Sequence, residues 1–394
     1  MKIFRLLALA AAVSVISCAV LLAANLPLSQ RAGNAAMARW PGGHLQPNAP
    51  AAWTHDHAAL LAGIEGLWPK TSDPRYLNYI KAVVDPLIAG DGTILAFKPD
   101  DIRLTNYQLG RQLLLLYRVT HEEKYAKAAD WLYNHLQKQP RTPSGGFWQG
   151  QANPNQMTPD GIDEALPTYA EYAHDFHHPE AFADITRQFV LLQENGRDRN
   201  GLIHQGWDES KQERWADKQT GMSATAWGRG MGWYLAALVE TLPFYPLNDP
   251  GRQQLIDILN QDAAAVARYQ DAKSGLWYQV IDKAGSPGNF PEASASSLFV
   301  FALACGANHG YLPKRYLDNA QLGYKGILNN FITAGPGDDV TLKGTVEATD
   351  LGGTPYHDGS YAFYAAGKTV INDPKGVGVF ILASLEIESA EKAK

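Results

Sequence analysis

Helix-start signals recur along almost the whole chain, and they restrict it to folds assembled from many helices. Asp73-Pro74, Asp249-Pro250 and Asp373-Pro374 each pair an N-cap carboxylate with a proline at the first helical position. Thr120-His121-Glu122-Glu123 fits a capping box, and Pro179 and Pro313 open further segments. Between these signals apolar residues recur at helical spacing, as in Leu60-Leu61-Ile64-Leu67, Leu113-Leu114-Tyr117 and Phe189-Leu192. The pattern predicts helices near 52–67, 74–88, 106–119, 121–137, 160–174, 179–194, 223–243, 250–270, 292–308, 313–332 and 374–389. Lys124-Tyr125-Ala126-Lys127-Ala128-Ala129 is similar to a tetratricopeptide helix, but no fixed short repeat follows it. An all-α, closed toroid of helix pairs therefore fits better than an open solenoid. Several loops are long and aromatic: Arg141 to Trp148, His204 to Asp208, Gly275 to Gln279 and Gly352 to Tyr364. Such loops on a helical scaffold suggest a site at one end of it.

The formal net charge is -6, so a nucleic-acid surface, which needs concentrated Lys and Arg, is not expected. An acidic substrate stays open, because one buried Arg outweighs net charge locally. Trp 10 and Tyr 18 are high counts, and flat rings stack on sugars, although any single ring is first of all a core residue. Lys2 and Arg5 precede an apolar run from Leu6 to Ala24. Residues 1–24 are expected to be a signal peptide cleaved after Ala24, with a retained anchor as the second reading and lipidation at Cys18 as the third. A periplasmic or secreted location follows, with the membrane touched only through that segment; the sequence does not give the oligomeric state, of which a monomer is the favoured reading. Residues 25–50, rich in Ala, Pro, Gly and Asn, read as a linker, and 51–394 as a single domain. With Cys18 removed, Cys305 has no intramolecular partner, and it ends an apolar run as a buried thiol would.

Three stretches carry candidate chemistry. Thr158 to Pro167 places Asp160, Asp163 and Glu164 at a helix start. Complementing the helix dipole explains most such charges. Asp160 stands apart because Gly161 leaves room for a close approach. His204 to Asp217 mixes His, Trp, Asp, Glu and Arg214, with no His-x-x-x-His, no Cys pair and no calcium-loop spacing, so no metal is expected. Trp227-Gly228-Arg229-Gly230-Met231-Gly232-Trp233-Tyr234 sets Arg229 and Trp233 four apart on one helix face. An Arg clamp on a carboxylate, with a Trp one turn away, suits a uronic acid. An Arg paired with a buried Asp or Glu is the competing explanation and stands nearly level with it. No phosphate loop, Ser elbow or dinucleotide fingerprint occurs, so no cofactor is expected.

At these residues the sequence resembles the unsaturated rhamnogalacturonyl hydrolases, glycoside hydrolase family 105, relatives of the unsaturated glucuronyl hydrolases. The resemblance runs from about Asp73 to Leu385. It is carried by Gln139-Pro140-Arg141-Thr142, Gly145-Gly146-Phe147-Trp148, Asp160-Gly161 with Pro167, His204-Gln205-Gly206-Trp207-Asp208-Glu209-Ser210, Trp215-Ala216-Asp217 and the Trp227 stretch. It continues in Glu292-Ala293-Ser294-Ala295-Ser296, Asp358-Gly359-Ser360-Tyr361 and Asn372-Asp373-Pro374-Lys375-Gly376-Val377-Gly378. Their joint order is more specific than any one of them.

The resemblance implies an (α/α)6-barrel catalytic domain without a metal. It implies that Asp160 is the catalytic acid, that His204, Arg229 and Trp233 contact an unsaturated uronate, and that Trp227, Gln149 and Asn106 join them in binding. The implied reaction removes a 4,5-unsaturated uronic acid from the non-reducing end of lyase-generated oligosaccharides by hydrating the C4=C5 bond. An unsaturated rhamnogalacturonan disaccharide is the first expected substrate. Unsaturated uronates from ulvan, glycosaminoglycan or arabinogalactan are alternatives, as is a non-catalytic sugar-binding toroid. Relatives often carry an aromatic-aliphatic pair where Thr158-Pro159 stands and a His where Gln149 stands. A second aspartate of the glucuronyl hydrolases falls near Thr105-Asn106, where no carboxylate stands. A helix start lowers a carboxyl pKa, whereas a resting acid needs it raised. Asp160 is therefore expected in an aromatic pocket facing Arg229 and His204.

Overall fold

A computed structural model describes residues 26–46, 49–347 and 350–392. Its helices in chain order are α1 (Leu28–Arg39), α2 (His55–Thr71), α3 (Pro74–Val84), α4 (Gly110–Thr120), α5 (Glu123–Leu136), α6 (Pro159–Asp175) and α7 (Ala181–Asn195). They continue as α8 (Gly228–Thr241), α9 (Pro250–Arg268), α10 (Ala293–Asn308), α11 (Tyr316–Asn330), a short α12 (Tyr361–Ala365) and α13 (Pro374–Lys392). Helices α2, α4, α6, α8, α10 and α13 pack each against the next, and α13 closes on α2. Helices α1, α3, α5, α7, α9 and α11 lie outside this ring. The result is the (α/α)6 barrel expected from the resemblance.

Burial explains which helices went inside. In α6, α8 and α10 nearly every residue is buried, and α10 reads Ala-Ser-Ala-Ser-Ser-Leu-Phe-Val-Phe-Ala-Leu-Ala, apolar or small all round. Ring closure depends on glycine. A Cβ on Gly378 would lie 2.0 Å from the Ala59 carbonyl oxygen, and one on Gly63 would lie 2.6 Å from that of Gly378. Helices α2 and α13 thus touch backbone to backbone. Gly378→Ala is expected to cost about 1–3 kcal/mol through overpacking, read as a lower midpoint in thermal or urea unfolding.

The Asp-Pro signals act as expected. Asp73 accepts from the Arg75 N–H at 2.9 Å, Asp249 from the Gly251 N–H at 2.8 Å and Asp373 from the Lys375 N–H at 2.9 Å. The capping box at Thr120 is corrected. Thr120 closes α4 by donating to the Leu116 carbonyl at 2.7 Å, His121 turns left-handed at φ 57, and α5 begins after Glu122. The linker expected over 25–50 is also corrected, because 28–39 form α1. Ser29 binds Glu388 of α13 through N–H and hydroxyl at 2.9 and 2.6 Å, and Arg31 donates to the carbonyls of Gly335 and Gly337, each at 2.6 Å. Alanine is the strongest helix former, and the small Ala32 and Ala36 are buried in the core. The outer helix that covers α13 thus comes from the start of the chain. The export signal expected at 1–24 lies outside the described residues, among which no helix is long and apolar enough to cross a membrane.

Three two-stranded antiparallel pairs decorate the loops: β1 (Gln156–Met157) with β2 (Trp207–Asp208), β3 (Ile332–Ala334) with β4 (Val340–Leu342), and β5 (Thr345–Val346) with β6 (Thr369–Val370). The first pair, with Gln156 opposite Asp208, ties the loop before α6 to the loop before α8.

Candidate active site

A cavity of about 470 Å³ opens over the N-terminal ends of the inner helices. It is lined by His55 and Asp56 at the start of α2, Asp160 and Glu164 in α6, Arg229 and Trp233 in α8, and Lys375 in α13. Loops add Arg103, Thr105, Gln149, Gln205, Trp227 and Asp350. Several helix N-termini therefore converge on one space, a field that favours an anionic ligand.

Asp160 lies in the first turn of α6, whose N-cap Thr158 accepts from the Gly161 N–H at 3.0 Å. The Gln205 side-chain amide donates to Asp160 Oδ2 at 2.6 Å. Burial pushes the Asp160 carboxyl up to about 6, against the opposing pull of Gln205 and Arg229. The burial that the sequence argument required is thus present. Glu164, one turn on, is pushed up to about 7 by burial and then by the Asp160 charge. Gly161 makes room for protein: its Cβ would fall 2.1 Å from Gln149 Oε1. Gly230 does the same for Gln205, at 2.0 Å from Oε1. The two glycines seat the two amides that reach the carboxyls.

Arg229 is buried, and among the described residues no carboxylate lies within ion-pair distance of it. Its Nη1 donates to the Val346 carbonyl at 2.6 Å and to Ser294 Oγ at 3.3 Å, and its Nη2 to the Glu347 carbonyl at 2.8 Å. The competing explanation, an Arg paired with a buried acid, does not describe this geometry. The Nε–H and one Nη2–H remain, the side of the fork that grips a carboxylate. The guanidinium lies 4.6 Å from the Trp227 ring centre, and Trp227 stacks on Tyr364 at 5.7 Å. Trp233 is buried, meets His55 edge-on at 5.3 Å, and its Nε1–H has no partner. Burial and then Lys375 push His55 down to about 4, so its ring is neutral, with Nδ1 2.7 Å from Gln108 Oε1.

Of the residues singled out in sequence, Asp160, Gln149, Trp227, Arg229 and Trp233 line the cavity. His204 and Asn106 do not, which corrects the expected pocket in both cases. His204 Nδ1 is 2.5 Å from the Ser223 carbonyl and its Nε2 is 3.8 Å from Asp198. Its neighbour Gln205, at a bend in the chain, reaches Asp160 at 2.6 Å instead. Asn106 donates to the Asp101 carbonyl at 3.1 Å, and Thr105 faces the cavity instead, 3.0 Å from Glu164 Oε1. Gln205 and Lys375 stood inside quoted motifs without being chosen, whereas His55 carried no sequence signal. Cys305, His309 and Glu386 bring ligand atoms within 4.8 Å of one another, but near the C-terminal ends of α10 and α13, away from the cavity.

A family model described as Glycosyl Hydrolase Family 88 matches residues 28–390. The chain is similar to a solved family 105 glycoside hydrolase of C. acetobutylicum, with 36% identity, a TM-score of 0.87, and coverage of 92% of this chain and 99% of that one. It is 33% identical over 227 residues to Protein Atu3128 of Agrobacterium fabrum, covering 56% of this chain and 97% of that protein. A shorter match, 30% identical over 105 residues, covers 26% of this chain and 24% of the unsaturated 3S-rhamnoglycuronyl hydrolase of an Alteromonas species.

Proposed function

The chain belongs to glycoside hydrolase families 88 and 105, the unsaturated glycuronyl hydrolases, and from that premise we propose that it releases a 4,5-unsaturated uronic acid from lyase-generated oligosaccharides, with the unsaturated rhamnogalacturonan disaccharide as the first substrate. The observation that carries this reading is Asp160: a carboxyl raised to about 6 in a cavity that Trp227, Trp233 and the buried Arg229 also line.

In this reading Arg229 grips the uronate carboxylate through its free edge and Trp233 packs on the ring. Asp160 protonates C4. Positive charge develops at C5 and on the ring oxygen, and the Asp160 carboxylate then takes a proton from water as the water oxygen bonds to C5. The hemiketal opens to a ketone at C5, and the aglycone leaves C1 with its own oxygen. One carboxyl serves as acid and then as base, unlike hydrolysis by a carboxylate pair. Because the protonated form starts the cycle, kcat/KM is expected to fall tenfold per pH unit above about 6. A flat profile from pH 5 to 8 contradicts the role.

The aglycone is tested by turnover of a panel of lyase products from rhamnogalacturonan, ulvan, glycosaminoglycan and arabinogalactan. A preference for rhamnogalacturonan supports the first substrate. The short match to an unsaturated 3S-rhamnoglycuronyl hydrolase favours, as second reading, the same chemistry on a rhamnose-linked uronate of another polysaccharide. Binding without turnover of any member supports a sugar-binding toroid instead. Export to the periplasm or medium belongs to this proposal and rests on residues 1–24 alone.

A further inference from the structure

The end of the barrel away from the cavity holds three metal-ligating side chains that the reaction does not use. Cys305 and His309 stand four apart at the C-terminal end of α10, and Glu386 comes from α13. Their ligand atoms lie within 4.8 Å of one another. Cys305 Sγ and His309 Nδ1 are 3.6 Å apart. A tetrahedral zinc ion, with bonds of about 2.3 Å to sulfur and about 2.0–2.1 Å to nitrogen, holds such a pair about 3.6 Å apart. That spacing is therefore already the spacing of a ligated pair, and the carboxylate oxygen reaches bonding range by moving roughly 1 Å. His309 Nδ1 also lies 3.0 Å from the Cys305 carbonyl oxygen. That oxygen accepts from the His309 backbone N–H at 3.0 Å as well, so it keeps a donor when the Nδ1 lone pair turns to a metal. Asn308 orients the carboxylate: its Nδ2 donates to Glu386 Oε2 at 2.7 Å and to the Glu386 carbonyl at 3.0 Å. Supporting contacts of this kind aim a ligand at its ion. The charges around the trio favour a cation. A helix C-terminus carries partial negative charge. Glu386 and Glu240 of α8 add negative potential at Cys305, opposed by Lys70 of α2. His309 is exposed and Cys305 buried, which gives an ion a path from solvent to the sulfur.

We propose that Cys305, His309 and Glu386 form a binding site for one zinc-like divalent cation, which pins α13 to α10 at the end of the barrel opposite the cavity. A thiolate and an imidazole select zinc over calcium or magnesium, which take oxygen ligands. Binding releases the thiol proton to solvent, and the thiolate and carboxylate together balance the charge of the ion. Three protein ligands leave the fourth position to water. A nucleophilic thiol is the competing role for a Cys beside a His. Burial and then the Glu386 charge push the Cys305 thiol up, the opposite of what a nucleophile needs. The ion stands apart from the chemistry at Asp160. Glu386 lies about three turns, roughly 16 Å, along α13 from the cavity-lining Lys375. Its effect is on the fold. Helix α13 is the last member of the inner ring, packed between α10 and α2, so a tie to α10 holds the ring closed. An ion that binds the folded chain alone stabilises it by mass action. The proposal stands independently of the glycosidase reading.

The test uses the full chain, stripped by a chelator and titrated with Co2+ as a spectroscopic stand-in for Zn2+. One equivalent of Co2+ should raise a thiolate-to-metal charge-transfer band in the near ultraviolet, and one equivalent of Zn2+ should bleach it. Cys305→Ser should lose the band. Asn308→Ala should weaken Zn2+ binding by about 10–100-fold, and His309→Ala and Glu386→Gln by more. The melting midpoint of the wild type should rise with free Zn2+, whereas that of Cys305→Ser should stay where it is. His309 is exposed, so His309→Ala keeps the fold and decides the matter if Cys305→Ser does not melt cooperatively. The absence of a band in the wild type overturns the proposal. So does a band that survives in Cys305→Ser, or a midpoint that Zn2+ raises equally in wild type and variants. Turnover of the unsaturated uronate should be the same with and without the ion, so a failure here leaves the role of Asp160 as it stands.

Discussion

Asp160→Asn is expected to lower kcat by about 10³-fold or more, because in the proposed mechanism one group supplies both the proton to C4 and the base for water. The readout is the loss of ultraviolet absorbance as the conjugated C4=C5 bond disappears. The fold should survive. Asn is nearly isosteric and can still accept from Gln205, which lies 2.6 Å from Oδ2. The melting temperature should rise at neutral pH, and the sign follows from linkage. An acid whose folded pKa is raised binds more protons folded than unfolded, so it lowers stability progressively from its unfolded pKa near 4 up to about 6. Asn does not titrate and escapes that cost. A variant that is inactive and at least as stable at pH 7.5 fits this account. One that is inactive and unfolded shows only that the position is structural.

Arg229→Met is expected to reduce kcat/KM by about 10²-fold, within the range of about 2–5 kcal/mol for truncating one partner of a buried, hydrogen-bonded charge pair. Part of that loss is not binding. The Val346 and Glu347 carbonyls lose their donors, and the segment that carries them borders the cavity wall at Asp350. Arg229→Lys keeps the charge but not the planar fork, so it should recover little. The role is isolated with a substrate whose uronate is methyl-esterified. Wild type should discriminate strongly against the ester, and Arg229→Met should barely distinguish ester from acid. Equal discrimination by both would place the carboxylate elsewhere in the cavity.

The helical architecture was legible because its signals are local. An Asp-Pro pair specifies a cap within one turn, and Asp73, Asp249 and Asp373 cap as read. The errors came where local rules compete. Thr120 could cap the next helix or bond back to Leu116, and it bonds back. The Ala-rich stretch from Leu28 to Arg39 looked like a linker because only the presence of α13 makes it an amphipathic partner. Five of the residues singled out in sequence line the cavity, whereas His55, Arg103, Asp350 and Lys375 do so without having been chosen. Both misplacements, His204 for Gln205 and Asn106 for Thr105, are choices between sequence neighbours, and which neighbour faces the cavity is set by tertiary contacts such as Gln205 to Asp160 and Thr105 to Glu164. Glu164 was visible as a charge at a helix start, but its partners Thr105 and Gln149 are 59 and 15 residues away. The elevation of Asp160 could be required by argument but not read, since its largest cause is burial.

The central claim is that Asp160 delivers a proton to C4. The direct measurement is single-turnover reaction in deuterium oxide, with the first-formed uronate trapped by reduction and its C4 analysed by NMR. The account predicts one deuterium on one face of C4 in step with aglycone release, and neither event with Asp160→Asn. Release of the aglycone with the C4=C5 bond still intact in the trapped product would contradict it.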